Sequence, residues 1–288
     1  MIRKSSPRST VPHEVWSKYE KLKDGLADLR RALVAFSGGV DSTLLLYAAQ
    51  EVLGDGVWAV TVKSDLHPPR EIEAAREMAQ SLGVRFSIVE IDQLNDAEFV
   101  RNTPERCYLC KKRLFLYLKN LAAEEKITAI LEGSNADDVR DFRPGSRATK
   151  ELGILVPLRD AGLGKGEIRQ LSRHLDLRTW DKPSMACLAS RIPYHNRLTK
   201  QKLDRVRLAE EKLRLWGFRQ VRVRDHGNCA RIEVESSQIP RLCSAEACER
   251  IVQEFKDLGY VFVAMDLEGY RTGSMNGEIS TPSDKSSD

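Results

Sequence analysis

Apolar residues in the first half of the chain fall into short blocks separated by stretches with helical spacing. Residues 32–36 (Ala-Leu-Val-Ala-Phe) are continuously apolar, as a strand covered on both faces requires. Residues 57–62, 84–91 and 127–132 repeat that kind of block. Between them, residues 42–53 carry three successive leucines and paired alanines, the mark of a helix packed on a sheet. Residues 70–82 form an amphipathic pattern that stops at Gly83, and residues 114–125 predict another helix. A polar helical stretch, 16–30, precedes the first strand. Strands alternating with helices predict a parallel sheet with helices on both faces.

Beyond a glycine-rich stretch at 159–166 the pattern changes. Helix 199–216, strands 220–224 and 229–235, helix 244–258 and strand 260–265 read as a smaller α+β domain. The expected division is therefore 14–165 and 166–276, with 1–13 and 277–288 as disordered ends. The 288 residues and 41% hydrophobic content suffice for such a core. Charged residues nearly cancel, leaving +4, which does not call for a polyanionic partner. No apolar run reaches the ~20 residues of a membrane helix, and no apolar stretch follows the basic start as in a secretory signal. The expectation is a cytoplasmic chain whose six cysteines are reduced.

In open parallel sheets, ligands sit at the carboxyl ends of the strands. Three polar segments fall there, among them the short stretch Lys63-Ser-Asp65. Ser37-Gly-Gly-Val-Asp-Ser42 runs from a buried strand into a helix. Gly38 and Gly39 let the backbone approach a ligand, and the unpaired N–H groups of the first helical turn favour an anion. Ser37 and Ser42 add hydroxyl donors. Asp41 would repel a phosphate unless Mg²⁺ lies between them. The third segment contains Gly133, Ser134, Asp137 and Asp138. ATP is the expected ligand, although a capped turn would use similar residues. Neither a Walker-type loop nor Gly-x-Gly-x-x-Gly occurs.

Cys107 and Cys110 form a Cys-x-x-Cys pair, and Cys187 lies in Ala186-Cys-Leu-Ala-Ser-Arg191. Two close thiols and a distant third are compatible with a cluster having one open iron, part of a zinc site, or a redox pair beside a nucleophile. Cys229, Cys243 and Cys248 sit at core-like positions of the second domain.

The first segment resembles the pyrophosphatase loop of the adenine nucleotide α-hydrolase-like superfamily. That resemblance implies a Rossmann-like α/β fold of the HUP/PP-loop type and cleavage of ATP between its α and β phosphates. Four further stretches narrow it: Asn102-Thr-Pro-Glu-Arg-Cys-Tyr-Leu-Cys-Lys111, Glu132-Gly-Ser-Asn-Ala-Asp-Asp138, Lys182-Pro-Ser-Met-Ala-Cys-Leu-Ala-Ser-Arg-Ile-Pro193 and Gly269-Tyr-Arg-Thr-Gly-Ser-Met-Asn276. With them the chain resembles the ATP-dependent sacrificial sulfur transferases of the LarE type, from about residue 32 to 276. The resemblance implies a substrate, pyridinium-3,5-biscarboxylate mononucleotide, whose carboxylates become thiocarboxylates on the way to a nickel-pincer nucleotide. It implies Cys187 as the sacrificial sulfur donor. The presence of Cys107 and Cys110 as well resembles the alternative form in the family, in which three cysteines carry a [4Fe–4S] cluster whose open iron would deliver sulfide and spare Cys187. A homo-oligomer, a hexamer in this family, is implied too. Arg222 and Arg224 match the substrate-phosphate region, and Glu210 an acidic metal-binding position.

Arg222 and Arg224 alternate on one strand and so share a face, from which both could grip a phosphate. Two rival activities use the same loop. A tRNA-thiolating enzyme calls for a basic groove and an added RNA module, which a net charge of +4 does not suggest. An amide-forming ligase would leave the three cysteines idle.

Overall fold

The computed structural model describes residues 11–140, 144–183, 186–271 and 274, apart from the side chains of 139 and 140. Its first elements are α1 (His13–Ala27), β1 (Ala32–Ala35), α2 (Val40–Leu53), β2 (Val57–Lys63), α3 (Pro69–Ser81) and β3 (Arg85–Glu90). Then come α4 (Arg106–Glu124), β4 (Ala129–Glu132), α5 (Gly145–Glu151), α6 (Pro157–Asp160) and α7 (Lys165–His174). The remainder is α8 (Lys200–Leu215), β5 (Val221–His226), β6 (Cys229–Val234), α9 (Ile239–Leu242), α10 (Ala245–Asp257) and β7 (Phe262–Met265). Residues 1–10 and the expected disordered tail, 277–288, lie outside the described residues.

Two compact units form. The first takes the described parts of Met1–Ser64, Pro69–Ile91 and Cys107–Ser184; the second takes Asp65–Pro68, Asp92–Arg106 and Met185–Asp288. In the first unit four strands pair in parallel in the order β3-β2-β1-β4. The apolar blocks explain why. Ala32, Val34, Val57, Ala59, Ala129 and Leu131 face a core shared with α1, α2, α3 and α7. The alternate residues Leu33, Trp58, Val60 and Ile130 face Phe115, Leu118 and Ala122 of α4. Period-two alternation with both faces covered is what continuous apolar strands predict. The fold is thus α/β, a parallel sheet flanked by helices, with a smaller C-terminal α+β region. Gly83 follows α3 at φ +66°, the left-handed stop that its sequence suggests.

In the second unit β5 and β6 are antiparallel and β7 runs parallel to β6. Val221, Val223, Ala230, Ile232 and Val234 pack beneath Ala209 and Leu213 of α8 and Ile251 and Phe255 of α10. The opposite face carries Arg222, Arg224, Arg231 and Glu233. Residues 92–106 join this unit through Asn102. Its buried amide donates to the carbonyls of Ile192, Pro193 and Asn196, and its main chain takes a left-handed φ of 55°. Arg106 donates to the Asn102 side chain and to the Ala189 carbonyl. No described helix is long and apolar enough to cross a membrane.

Candidate active site

The strand order reverses between β1 and β4: β2 and β3 lie on one side of β1, β4 on the other. Such a switch point opens a crevice at the carboxyl ends of the two strands. The Ser37–Ser42 and Gly133–Asp138 segments follow these two strands. Gly38 has φ +66°, and a Cβ there would stand 3.0 Å from the Ala75 Cβ on α3. Ser37 and Ser42 hydroxyls lie 3.0 Å apart, and Ser42 Oγ donates to the Gly39 carbonyl at 3.2 Å. No side chain caps α2, whose N-cap is Gly39 in extended conformation. Its first-turn N–H groups therefore present a positive helix end with hydroxyls beside it, a place for a phosphate.

The two segments touch. A Cβ on Gly133 would sit 3.0 Å from the Ser42 nitrogen and 3.1 Å from its Cα. Asn135, itself buried, donates from Nδ2 to Asp41 Oδ1 at 3.4 Å. Asp138 closes its own loop by accepting from the Asn135 N–H at 2.9 Å. The Ser134 hydroxyl donates to Glu132, which also pairs with Lys111 at 2.5 Å. Replacing Gly133 by Ala presses a methyl group on backbone that has little room to yield, a change of about 1–3 kcal/mol. The expected result is a folded protein whose Mg·ATP affinity falls about tenfold, read by calorimetric titration.

Two lysines absent from the expected site converge on the same loop. Lys165, the first residue of α7, pairs with Asp41 Oδ2 at 2.5 Å, and its main-chain N–H donates to Asp137 at 2.7 Å. Lys182 donates to the Gly38 carbonyl at 2.8 Å and pairs with Glu71 at 2.8 Å. Arg169 of α7 holds the Lys182 segment through the carbonyls of Trp180 and Lys182. Asp41 and Asp137 supply hard oxygen donors beside the uncapped helix end. They suit Mg²⁺, which takes one or two carboxylates and fills its shell with phosphate and water.

Cys107 and Cys110 stand one turn apart at the start of α4, the former exposed and the latter partly buried. Cys187 belongs to the other unit. Among the described residues no group of three or more His, Cys, Asp or Glu side chains is arranged to hold a metal ion. The [4Fe–4S] cluster expected on Cys107, Cys110 and Cys187 thus meets no preformed three-thiolate cradle. Glu210, expected at an acidic metal-binding position, is buried among arginines. Arg191 holds both of its oxygens, at 2.7 and 3.2 Å, Arg214 donates at 2.5 Å and the Val223 N–H at 3.2 Å. Burial alone would raise its pKa; the charges of Arg191, Arg214 and Arg222 outweigh that and hold it at about 2.

Arg191 is fully buried and links this hub to the cysteine loop. Its Nη1 donates to the carbonyls of Ala186 (2.8 Å) and Cys187 (3.1 Å) and to the Ser190 hydroxyl. Ser190 binds the Cys187 carbonyl from both its N–H and its hydroxyl. The cysteine therefore sits on a turn whose backbone is held by three donors, with its side chain partly exposed. Arg224 and Arg222 are buried rather than on a solvated edge. Arg224 grips Glu233 with two hydrogen bonds, at 2.9 and 2.7 Å, and donates to the Ser190 carbonyl. Arg222 lies over the Tyr270 ring at 5.1 Å. Burial first, and then the like charge of Arg191, bring its pKa down to about 10, so it remains cationic at neutral pH. Its Nη1 also donates to the Val221 carbonyl at 2.8 Å.

The chain is similar to several known proteins. The family described as the queuosine biosynthesis protein QueC matches residues 31–105, which contain the Ser37–Ser42 loop. The chain is similar to an uncharacterized protein of Synechocystis sp., slr1717, at 42% identity over 90% of this chain and 97% of the relative. It is similar to the pyridinium-3,5-bisthiocarboxylic acid mononucleotide synthase of Lactiplantibacillus plantarum at 37% identity, over 91% and 95%. It is also similar to the uncharacterized protein MJ0830 of Methanocaldococcus jannaschii at 30% identity, over 88% and 98%. The chain belongs to the PP-loop ATP-pyrophosphatase superfamily, in the family of these three relatives.

Proposed function

We propose that the protein is an ATP-dependent sulfurtransferase that converts carboxylates of pyridinium-3,5-biscarboxylate mononucleotide to thiocarboxylates, a step toward a nickel-pincer nucleotide. The observation that carries this reading is the pairing, in one chain, of an uncapped glycine loop at a switch point with a cysteine on a clamped turn. The printed activity of the Lactiplantibacillus plantarum relative supports the choice of substrate.

The loop residues Ser37, Gly38, Gly39, Asp41 and Ser42 bind the ATP phosphates, with Gly133, Ser134, Asp137 and Asp138 lining the second side. Asp41 and Asp137 would hold a Mg²⁺ ion, which would neutralise phosphate charge. A substrate carboxylate oxygen attacks the α-phosphorus, the bond to the β-phosphate bridging oxygen breaks, and pyrophosphate leaves. The Cys187 thiolate then attacks the acyl carbon, and AMP leaves with the former carboxylate oxygen. Cleavage of the Cys187 Cβ–S bond with loss of an α-proton leaves a thiocarboxylate on the substrate and dehydroalanine in the chain. Arg222, with Arg224 holding its surroundings through Glu233, takes the substrate phosphate.

The test is mass spectrometry after incubation with ATP, Mg²⁺ and the dicarboxylate nucleotide. One sulfur gained by the nucleotide and a loss of about 34 Da from the Cys187 peptide, the mass of H₂S lost in forming dehydroalanine, are expected together. Chelation of Mg²⁺ should stop both. Sulfur transfer with Cys187 intact, and iron with acid-labile sulfide in anaerobically purified protein, would move the sulfur source to a cluster involving Cys107 and Cys110.

A further inference from the structure

We propose that Lys165 is a phosphate-binding residue that occupies the cation position at Asp41 until Mg·ATP arrives, and then exchanges from carboxylate to phosphate. The proposal rests on the reading that ATP binds at the Ser37–Ser42 loop. It adds a residue and an order of events to that reading.

The root of Lys165 is fixed, and its arm is a flexible four-carbon stem that is partly exposed. The main-chain N–H is held by Asp137 Oδ2 at 2.7 Å. Gly164 is packed so closely that a Cβ there would meet both Asp137 carboxylate oxygens, at 3.2 and 3.3 Å. The Gly164 N–H is tied to Glu167 at 2.9 Å, and the Leu163 carbonyl accepts from the Ala136 N–H at 2.9 Å. The segment 163–165 is thereby anchored to the loop after β4. From this anchor a four-carbon side chain, one-third exposed, reaches Asp41 Oδ2 at 2.5 Å. Lysine is suited to such pivoting because its charge is a compact ammonium on a flexible stem.

The charges leave Lys165 two places to stand. Asp41 lies in the first turn of α2 beside the uncapped N–H groups. Without nucleotide, the ammonium is the counter-charge of that carboxylate. A Mg²⁺ ion held by Asp41 would take the same carboxylate and repel the ammonium. Phosphates bound at the uncapped end of α2 would then be the anions open to it. No proton moves: Lys165 stays an ammonium while the α-phosphorus–oxygen bond breaks and charge collects on the departing pyrophosphate. A lysine serving only as a structural ion pair would have no such second partner.

The test uses full-length Lys165→Met and Lys165→Arg proteins, with thermal melts to establish that each is folded. Mn²⁺ is titrated by electron paramagnetic resonance without nucleotide, and Mg·ATP by calorimetry. Freeing Asp41 should tighten nucleotide-free Mn²⁺ binding of Lys165→Met about fivefold while its Mg·ATP affinity falls about tenfold, with Lys165→Arg recovering part of the latter. That opposite movement is the signature of exchange. Unchanged Mg·ATP affinity in Lys165→Met overturns the proposal, whatever Mn²⁺ does. Unchanged Mn²⁺ affinity overturns the placeholder role. Failure of the unaltered protein to bind Mg·ATP would instead overturn the reading of the loop, before any variant is considered.

Discussion

The Cys187→Ala protein should release pyrophosphate in its first turnover at within about threefold of the normal rate, and form no thiocarboxylate. The proposed chemistry divides between two units of the fold. Adenylylation needs the crevice between β1 and β4 of the first unit, whereas residue 187 belongs to the second. Sulfur transfer needs a nucleophile that the acyl adenylate can reach and that can give up its sulfur. Alanine removes the sulfur and changes little else. The turn around it is held through main-chain carbonyls and Ser190, which the substitution leaves in place. Loss of a nucleophile from a covalent mechanism lowers the dependent step on the order of 10³-fold or more. Pyrophosphate release is followed in a quenched-flow assay and the nucleotide product by mass spectrometry. Thiocarboxylate formation above a tenth of normal in this protein would remove Cys187 as the sulfur source. Cys187→Ser separates the roles further, because an oxygen nucleophile can still displace AMP but leaves no sulfur on the product.

The core of this arrangement is legible in the sequence because it depends on short-range pattern. Alternate residues of an apolar block must face opposite sides, and Leu33 and Val34 do so, one toward α4 and one toward α2. That both loops lie at strand carboxyl ends also follows from pattern, since Ser37–Ser42 and Gly133–Asp138 terminate apolar strands, whereas the strand order that makes a switch point does not. Less legible is the start of α4. Residues 106–113 are rich in Arg and Lys and carry no apolar period, so periodicity predicts the helix only from 114. It begins at Arg106 and carries both cysteines in its first turns. The stretch at 159–166 reads as a loop, yet α6 ends at Asp160 and α7 begins at Lys165, with only Gly162 at positive φ.

Lys165 and Lys182 cannot be found by pattern at all. They meet their partners across 124 and 144 residues of chain. A lone lysine beside a glycine looks like any solvated surface charge. Arg191 poses the same problem in reverse. It reads as one more cation in a mixed-charge chain, but it is among the largest fully buried side chains. The interleaving of residues 65–68 and 92–106 with the C-terminal unit is also beyond linear reading. It depends on hydrogen bonds such as Leu188 N–H to the Leu66 carbonyl, between residues that share no periodic signature.

Arg191→Ala should destabilise the second unit by about 3–5 kcal/mol, because it strips a buried carboxylate of its main partner. Glu210 would keep Arg214 and the Val223 N–H, with the charge of Arg222 nearby. The loss is expected in hydrogen exchange of β5 and β6 amides, a local readout that does not require the whole chain to unfold in one step. Acid should reproduce part of it. The folded pKa of Glu210 is depressed to about 2, against about 4.3 for an unperturbed glutamate. A depressed carboxylate stabilises the fold fully above the unfolded value and loses that contribution as pH falls from there through the folded value. The gap between the two values corresponds to about 3 kcal/mol, lost between roughly pH 4.5 and 2. Glu210→Gln removes this titration, so its stability should fall less steeply than normal across that window. Parallel curves for the two proteins would show that Glu210 does not carry the acid sensitivity. Replacing Arg191 and Glu210 together by leucines should recover much of the single-variant loss, as buried pairs tolerate joint replacement by apolar groups. It should not recover sulfur transfer. The Arg191 guanidinium also binds the Ala186 and Cys187 carbonyls, and leucine cannot. A doubly substituted protein that is stable, cleaves ATP and transfers sulfur slowly would separate the two parts Arg191 plays, holding the unit together and holding the cysteine in place.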